Sequence, residues 1–272
     1  MHEHNHCYGQ AQILAVYATN ARCWSAPSIP GHLQHDWDLT TACSGDRQLN
    51  ASLTAYLWSL ASRERRQRTN LRNHVIIGAP WLYLLALDPV LLELPLTVTE
   101  QLTQASQPQS VATPTTPEGL LFFPTHDVDG EHAARRLATQ VRELQSGPVT
   151  VALSNQDFQV PAIRRTYAAA DFAQHNLGAI ADDSGSPAPR YLSRLLTALR
   201  AHCQVAANAT RCELLYAASL EKPVHVIDET TPWSRPLTDP KTATIFADAE
   251  LGREFVLSPP KLRDVLEWSN RD

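Results

Sequence analysis

Short apolar runs alternate with amphipathic segments throughout the second half of the chain. The apolar runs predict buried strands, and apolar residues at spacings of three and four predict helices between them. Strands that alternate with helices imply right-handed crossovers, and therefore a parallel sheet with helices on both faces. The predicted strands are Leu120–Pro124, Val149–Leu153, Gly178–Ala181, Cys203–Ala207 and Pro223–Ile227, and the predicted helices are Glu131–Gln145, Val160–Ala170, Tyr191–His202 and Arg211–Leu220.

The clearest of these units is the stretch from Cys203 to Asp228. Asn208 and Thr210 stand where helix caps are expected, and Glu213 follows Thr210 at the spacing of a capping box. A polar turn between a strand and a helix offers backbone N–H groups and the positive end of the helix dipole. That combination suits a phosphate or a carboxylate. The alternative is an ordinary capped βαβ unit without a ligand.

Parallel sheets bind ligands outside the carboxyl ends of their strands, so the turns after the strands are candidate sites. Ser154 stands in one of them, but it lacks the GxSxG elbow of a serine hydrolase. Neither GxGxxG nor GxxxxGK[ST] occurs, which argues against dehydrogenases and P-loop NTPases. The four turns are Thr125–Gly130, Ser154–Asp157, Asp182–Ser186 and Asn208–Arg211.

The first of these turns contains His126, Asp127 and Asp129. A carboxylate beside an imidazole can orient the ring and raise its basicity, as a general base requires. The same group could ligate a divalent cation, or one aspartate could simply cap the helix that follows.

The first half has weaker patterns. Its predicted elements are a helix over Tyr8–Thr19, a short strand within Ile29–Asp38, a strand or buried helix over Ser52–Leu60, an exposed basic helix over Ser62–Asn73 and a strand over His74–Pro80. The chain's last part, Gly252–Trp268, is predicted to form a short strand and a final helix.

Two polar clusters stand out in the first half. His35 is followed by Asp36 and Trp37, which could give a sugar or a base a stacking surface, or could form a surface loop anchored by one tryptophan. His2, His4 and His6 would share one face of a strand and could hold a metal. We instead expect a polar leader without a metal, because no motif places a fourth ligand.

Composition narrows the classes of function. With 43% hydrophobic and 19% charged residues, the chain is expected to be globular. A net charge of −5 gives no general attraction for nucleic acid. Five cysteines without a CxxC indicate reduced thiols and a cytoplasmic location, and the polar, histidine-rich start indicates no signal peptide. The longest apolar run, near Pro80–Leu96, contains charges and prolines, so no membrane span is expected.

A composition shift divides the chain. Residues 101–117 are rich in Gln, Ser, Thr and Pro, as an interdomain linker is. We therefore predict an N-terminal α/β domain over residues 1–100 and a C-terminal parallel-sheet domain over residues 118–272.

With its strands and strand-end turns located in this way, the chain resembles GT-B-type glycosyltransferase-like proteins of bacterial polysaccharide and natural-product biosynthesis. The resemblance covers most of the chain and implies two Rossmann-like halves, the first on the acceptor side and the second binding a nucleotide-sugar donor. The motifs that carry it are HEHNHCYG, PGHLQHDW, VIIGAPWLYL, LLFFPTHDVDGEH, ANATRCELLYAASLEKPV and ELGREFVLSPPKLRDVLEW.

The resemblance also assigns residues. It implies that His35 lines a cleft from the first half, and that His126 occupies the first turn of the donor domain. The donor-binding turn and helix would contain Asn208, Thr210 and Glu213.

Two departures from the pattern of that family matter. Asp36 replaces a usual glycine, and Thr210 with Arg211 replaces Gly-Ser. Arg211 either strengthens phosphate binding or marks a changed or lost donor.

The leading hypothesis is a glycosyltransferase that moves a sugar from a nucleotide-sugar to a small-molecule or glycan acceptor. His35, or His126 with Asp127 and Asp129, would deprotonate the acceptor. No metal or other cofactor is required, since the helix dipole and side chains can stabilise the leaving diphosphate. The alternatives are an inactive partner subunit and a nucleotide-sugar epimerase or hydrolase. Whether the chain forms a homodimer is left open.

Overall fold

The computed structural model describes residues 3–19, 26–37, 53–67, 73–87, 117–125, 130–178, 191–227, 237 and 239–269. The chain divides into two compact units. The first comprises Met1–Thr113, Ile180–Ser193 and Leu251–Asp272, and the second comprises Pro114–Ala179 and Arg194–Glu250. Each unit contains a parallel sheet with helices. These two sheets with their helices confirm the predicted fold class, α/β with two Rossmann-like halves.

The first unit contains a three-stranded parallel sheet in the order β1-β2-β3. The sequence left open whether Ser52–Leu60 forms a strand or a buried helix. The structure shows a strand in this segment. The strands are β1 (Gly31–Leu33), β2 (Thr54–Leu57) and β3 (His74–Ile76). A 3₁₀ segment (Glu3–Gly9) and α1 (Gln10–Thr19) precede β1, α2 (Leu60–Gln67) follows β2, and α3 (Pro80–Leu85) follows β3.

The second unit contains a five-stranded parallel sheet. Its strands are β4 (Leu120–Phe123), β5 (Val149–Leu153), β6 (Ala173–Asn176), β7 (Gln204–Ala207) and β8 (Val224–Val226). Its helices are α4 (Gly130–Leu144), α5 (Asn155–Phe158), α6 (Pro161–Ala169), α7 (Tyr191–Ala201), α8 (Cys212–Ala218) and α9 (Pro240–Leu251). The first three residues of α7 and the last residue of α9 are assigned to the first unit.

The strand order of this sheet is β6-β5-β4-β7-β8, with all neighbours parallel. The chain builds outward from β4 through β5 to β6, and then crosses back to place β7 and β8 on the other side of β4. This is the Rossmann order. Right-handed crossovers put α4 and α6 on one face and α7 and α8 on the other. The order reverses between β4 and β7, which makes the carboxyl ends of these two strands the switch point of the sheet.

The core of this unit forms around β4, all of whose residues are buried. On the α4 side, the Tyr167 ring stacks on Phe172 at 5.8 Å between ring centroids and meets Phe122 edge-on at 6.4 Å. The guanidinium of Arg142 lies 4.7 Å from the centre of the Phe172 ring. Aromatic packing of this kind fixes the helices on the sheet.

The last helix, α10 (Pro259–Val265), belongs to the first unit. Arg263 donates a hydrogen bond to the carbonyl of Ala18, and Trp268 Nε1 donates to Ser28 O at 3.1 Å. The predicted boundary, with all of residues 118–272 in one domain, therefore differs from the observed units. The buried side chains of Leu262, Leu266 and Trp268 explain the difference, because they give the tail an apolar face.

Several local predictions are wrong. The strand β6 at Ala173–Asn176 was not predicted. Of the strand predicted at Gly178–Ala181, only Gly178 is described, with a φ of +82° outside any strand, and residues 179–181 lie outside the described residues. The tail begins with a 3₁₀ turn, Arg253–Phe255, and not with a strand. The 3₁₀ segment at Glu3–Gly9 also rules out a strand face that His4 and His6 could share.

The basic helix α2 begins two residues earlier than predicted and is less exposed, while residues 68–72 of the prediction lie outside the described residues. Ser62 and Arg65 are buried, and Arg65 Nη2 donates to Ser62 Oγ at 3.3 Å. Residues 101–116 of the predicted linker and the whole Asp182–Ser186 turn lie outside the described residues. Within the described ranges, none of the helices combines the length and hydrophobicity that crossing a membrane would require.

Candidate functional site

The candidate site is the switch point between β4 and β7. Phe123 and Ala207 are register partners at the ends of these strands, so Thr125 and Asn208 leave the same edge of the sheet. The Asn208 side chain bonds to both backbone groups of Thr125. Its Oδ1 accepts from Thr125 N at 2.6 Å, and its Nδ2 donates to Thr125 O at 2.9 Å. The amide therefore continues the β4–β7 ladder beyond the strands and holds the two turns together.

Arg211 is the N-cap residue of α8, with φ −153° and ψ 168°. Its Nε lies 2.6 Å from Glu213 Oε2, and its Nη2 lies 2.9 Å from Glu213 Oε1. This is a bidentate pair, the strong form of an arginine–carboxylate contact. The Glu213 side chain is only 7% exposed, against 32% for Arg211. The nearly buried carboxylate therefore needs the guanidinium to balance its charge.

The Arg211–Glu213 pair corrects the predicted capping box. The helix begins one residue later than Thr210 would require, and its cap has no side-chain hydrogen bond. Glu213 instead accepts two hydrogen bonds from Arg211. Arg211 at the N-cap position explains why no capping box forms. Its guanidinium competes with the backbone N–H of the cap residue for the Glu213 carboxylate.

Arg211 also reaches the neighbouring turn. Its Nη1 lies 3.3 Å from Pro124 O and 3.4 Å from Thr125 Oγ1, and its guanidinium carbon lies 6.0 Å from the centre of the Phe123 ring. Asn208 and Arg211 therefore both join the turn after β7 to the turn after β4. The Glu213 carboxylate balances the charge of Arg211, and one edge of the guanidinium is directed at the β4 turn.

Ser154 lies at the same edge of the sheet, after β5, and is exposed. It caps α5, since its Oγ accepts from Asp157 N at 3.1 Å and donates to Asp157 Oδ2 at 2.9 Å. Farther along the edge, Asn176 Oδ1 accepts from Gly178 N at 2.8 Å after β6. The carboxyl edge thus carries a row of hydroxyl and amide side chains. Asn176 was not predicted from the sequence, because its strand is polar and was not predicted either.

The predicted cluster of His126, Asp127 and Asp129 lies outside the described residues. Its role as a general base stays a prediction from the sequence.

His35, in the first unit, follows β1 and is half-buried. Gln10 Nε2 donates to its carbonyl at 3.0 Å. Asp36 Oδ1 accepts from Trp37 N at 2.8 Å, as in a tight turn. Trp37 is 6% exposed, so its ring packs inside the protein and offers no open stacking surface. The alternative of a loop anchored by one tryptophan is the better description.

Asn5 stabilises the strand that leads to His35. Its Nδ2 donates to Gly31 O and its Oδ1 accepts from Leu33 N, both at 2.8 Å. No pattern in the sequence predicts this role of Asn5. Next to Asn5, the His6 ring lies 3.0 Å from Gln12 Nε2, and burial lowers the pKa of His6. No group of metal-ligating side chains occurs among the residues that the structure describes.

No family model and no curated protein matches the chain. Among solved structures, it is similar to the S. aureus MnaA–UDP co-structure, with 10% sequence identity and a TM-score of 0.40. The match covers 79% of this chain and 57% of that one, so the chain spans little more than half of its length. A likeness this distant identifies no family, and the function has to be argued from the chain's own residues.

Proposed function

We propose that the second unit binds a nucleotide-sugar at the carboxyl edge of its sheet, and that the protein transfers the sugar to a small-molecule or glycan acceptor. The observation that carries the proposal is the double hydrogen bond between Asn208 and Thr125 at the switch point. In sheets of this topology, the crevice at the switch point is where nucleotides bind. The bond fixes the spacing of the two turns that would flank a diphosphate.

In this proposal Thr210 and Arg211 line the phosphate subsite. The contact from Arg211 Nη1 to Pro124 O is 3.3 Å, long for a charge-assisted bond, and a phosphate oxygen could replace it. Ser154 lies one strand away and would meet a more distant part of the donor. The base that deprotonates the acceptor is His35, or His126 with Asp127 and Asp129, as the sequence predicts.

Calorimetric titration with UDP-, GDP-, CMP- and dTDP-sugars tests donor binding. We expect one class to bind, and we expect Asn208→Ala to weaken that binding by about tenfold, since a lost hydrogen bond costs about 1 kcal/mol or more. Gln174→Ala is the matched control, because it removes an amide side chain from β6 near the start of that strand, where its Nε2 donates to Arg164 O at 2.8 Å, and it should leave donor binding unchanged. The proposal is wrong if no donor binds at any salt or magnesium concentration.

A second candidate is a nucleotide-sugar-binding subunit that does not transfer the sugar. The pairing of Arg211 with Glu213 favours it, because a neutralised guanidinium stabilises a leaving diphosphate less than a free one. Binding of a donor without turnover on any of a panel of acceptors would support this candidate. Release of free sugar from the bound donor in the absence of an acceptor would instead indicate hydrolysis.

A further inference from the structure

The first turn of α1 places two glutamine side chains in the interior of the first unit. Gln10 is 1% exposed and Gln12 is 2% exposed, whereas the buried residues that follow them, from Ile13 to Val16, are apolar. The Oε1 atoms of both glutamines are buried and have no hydrogen-bond partner in the described part of the chain. Buried polar atoms are nearly always paired, so two such acceptors at one helix end point to a partner outside the chain.

The amide nitrogens of the two side chains show where the oxygens lie. Gln12 Nε2 lies 3.0 Å from His6 Nδ1, and Gln10 Nε2 donates to His35 O at 3.0 Å. His6 belongs to the segment that precedes α1. Because the oxygen and the nitrogen of an amide are bonded to the same carbon, Gln12 Oε1 lies beside the N-terminal turn of α1. The His6 ring is half-buried, so solvent reaches this end of the helix.

The groups in this turn match a hydroxyl. An amide NH₂ can only donate, so His6 Nδ1 accepts from Gln12 and the neutral ring carries its proton on Nε2. Burial lowers the pKa of His6, which keeps the ring neutral near pH 7. The turn therefore combines an imidazole N–H donor with two amide acceptors, Gln10 Oε1 and Gln12 Oε1.

Other common ligand groups match this turn less well. A hydroxyl both donates and accepts hydrogen bonds, whereas a carboxylate or a sulfate only accepts and leaves the glutamine oxygens unpaired. An ammonium group only donates, and the positive end of the helix dipole repels it. A water molecule also donates and accepts, so the experiment has to separate a ligand from an ordered water.

We propose that the first turn of α1 binds a neutral, hydroxyl-rich ligand, a sugar or another polyol, whose hydroxyl groups donate to Gln10 Oε1 and Gln12 Oε1. A polyol supplies several hydroxyls from one molecule, and each is small enough to enter a site that is closed to larger groups. The residues involved all belong to the first unit, and the site does not depend on the nucleotide-sugar site of the second. Under the proposed function this ligand is the acceptor, because the Gln10 amide also holds the turn that contains His35.

Saturation-transfer NMR of the full chain with glucose, galactose, mannose and N-acetylglucosamine tests for the ligand. We expect at least one of these sugars to bind without a nucleotide-sugar, and we expect sulfate not to compete. Gln10→Met and Gln12→Met each remove an acceptor but keep the length of the side chain. Each should weaken sugar binding by about tenfold, because one hydrogen bond is lost.

The matched control for these variants is Thr19→Ala, at the other end of α1. It removes a hydrogen bond from Thr19 Oγ1 to Ala15 O of 2.8 Å and should leave sugar binding unchanged. Circular dichroism and thermal unfolding check that each variant is folded.

Protection of His6 gives a second measurement that needs no variant. Diethyl pyrocarbonate modifies histidine rings, and mass spectrometry locates the modified residues. A bound sugar should slow the modification of His6 but not that of His132, which is exposed on α4 in the second unit. If a methionine variant fails to fold, this measurement on the wild-type chain decides.

Three results would overturn the proposal. The first is that no sugar binds, which leaves water as the occupant. The second is that both methionine variants bind sugar as tightly as the wild type, and the third is that a bound sugar leaves the modification of His6 unchanged. Because no nucleotide-sugar is present in these experiments, a failure of the proposed function leaves this result standing, and the reverse also holds.

Discussion

Gln34 and Trp58 are joined by two hydrogen bonds at the carboxyl edge of the first sheet. The indole Nε1 of Trp58 donates to Gln34 O at 2.7 Å, and the backbone N–H of Trp58 donates to Gln34 Oε1 at 3.0 Å. Gln34 Nε2 also donates to Asp36 O at 3.1 Å. One buried amide thus connects β1, β2 and the turn that contains His35.

Replacement of Gln34 by alanine should lower the free energy of unfolding by about 1–3 kcal/mol, because it leaves the buried N–H of Trp58 without its acceptor. Urea unfolding measures the loss. Gln156→Ala is the control, since Gln156 is exposed on α5 and its removal should change stability by less than about 0.5 kcal/mol. Equal effects of the two substitutions would contradict the role given to Gln34.

Arg211→Ala should destabilise the protein by about 1–3 kcal/mol, because it leaves the nearly buried Glu213 carboxylate unpaired. The effect is kept small by the partial exposure of Arg211. In a double-mutant cycle with Glu213→Ala, the double variant should lose less stability than the two single losses added together. Additive losses would show that the bidentate contact contributes no coupling energy.

Gly252→Ala should destabilise the first unit by about 2–4 kcal/mol. Gly252 has a φ of +71°, and an added Cβ would collide with the carbonyl oxygen of Trp58. Gly147→Ala is the matched control, since a Cβ there would meet only the flexible end of Gln145. Thermal unfolding of the two variants should separate them clearly, and a Gly252→Ala protein as stable as wild type would contradict the contact.

Stability should fall as the pH is lowered below about 6.5. Burial lowers the pKa of His175, helped by the nearby His202 and Arg194, and burial also lowers the pKa of His202. Both rings stay neutral in the folded state while the unfolded chain takes up protons near its ordinary pKa of 6.5. The stability these groups contribute is therefore present at neutral pH and is lost on acidification.

Urea unfolding across the range from pH 7.5 to about 5 measures this slope. The variant His202→Gln should flatten it, whereas His132→Gln should not, because His132 is exposed on α4. A wild-type slope of the opposite sign would show that protonation of these rings favours the folded state.

The strands β4, β5 and β7 were predictable because they are short apolar runs that become buried. β6 was not predicted, since its sequence AQHN is polar and only half-buried at the edge of the sheet. α9 was missed because its buried stripe is small: Ala243, Ala247 and Leu251. A strand with one neighbour and a helix with an alanine face give weak hydrophobic patterns.

The place of the Asn208 turn on the sheet edge followed from the strand pattern, but its partner did not. Thr125 is 83 residues away in the chain, and its contact with Asn208 is made by backbone groups that no sequence motif marks. The capping box failed for a related reason, since the spacing of Thr210 and Glu213 carries no information about the competing Arg211.

The return of α10 to the first unit has a consequence for synthesis on the ribosome. Residues of the second unit, Pro114–Ala179 and Arg194–Glu250, are all made before Leu251–Asp272. The first unit is therefore complete in sequence only after this segment has been made. Until then α1 lacks the buried tail of Leu262, Leu266 and Trp268, and its apolar surface is open to chaperones or to aggregation.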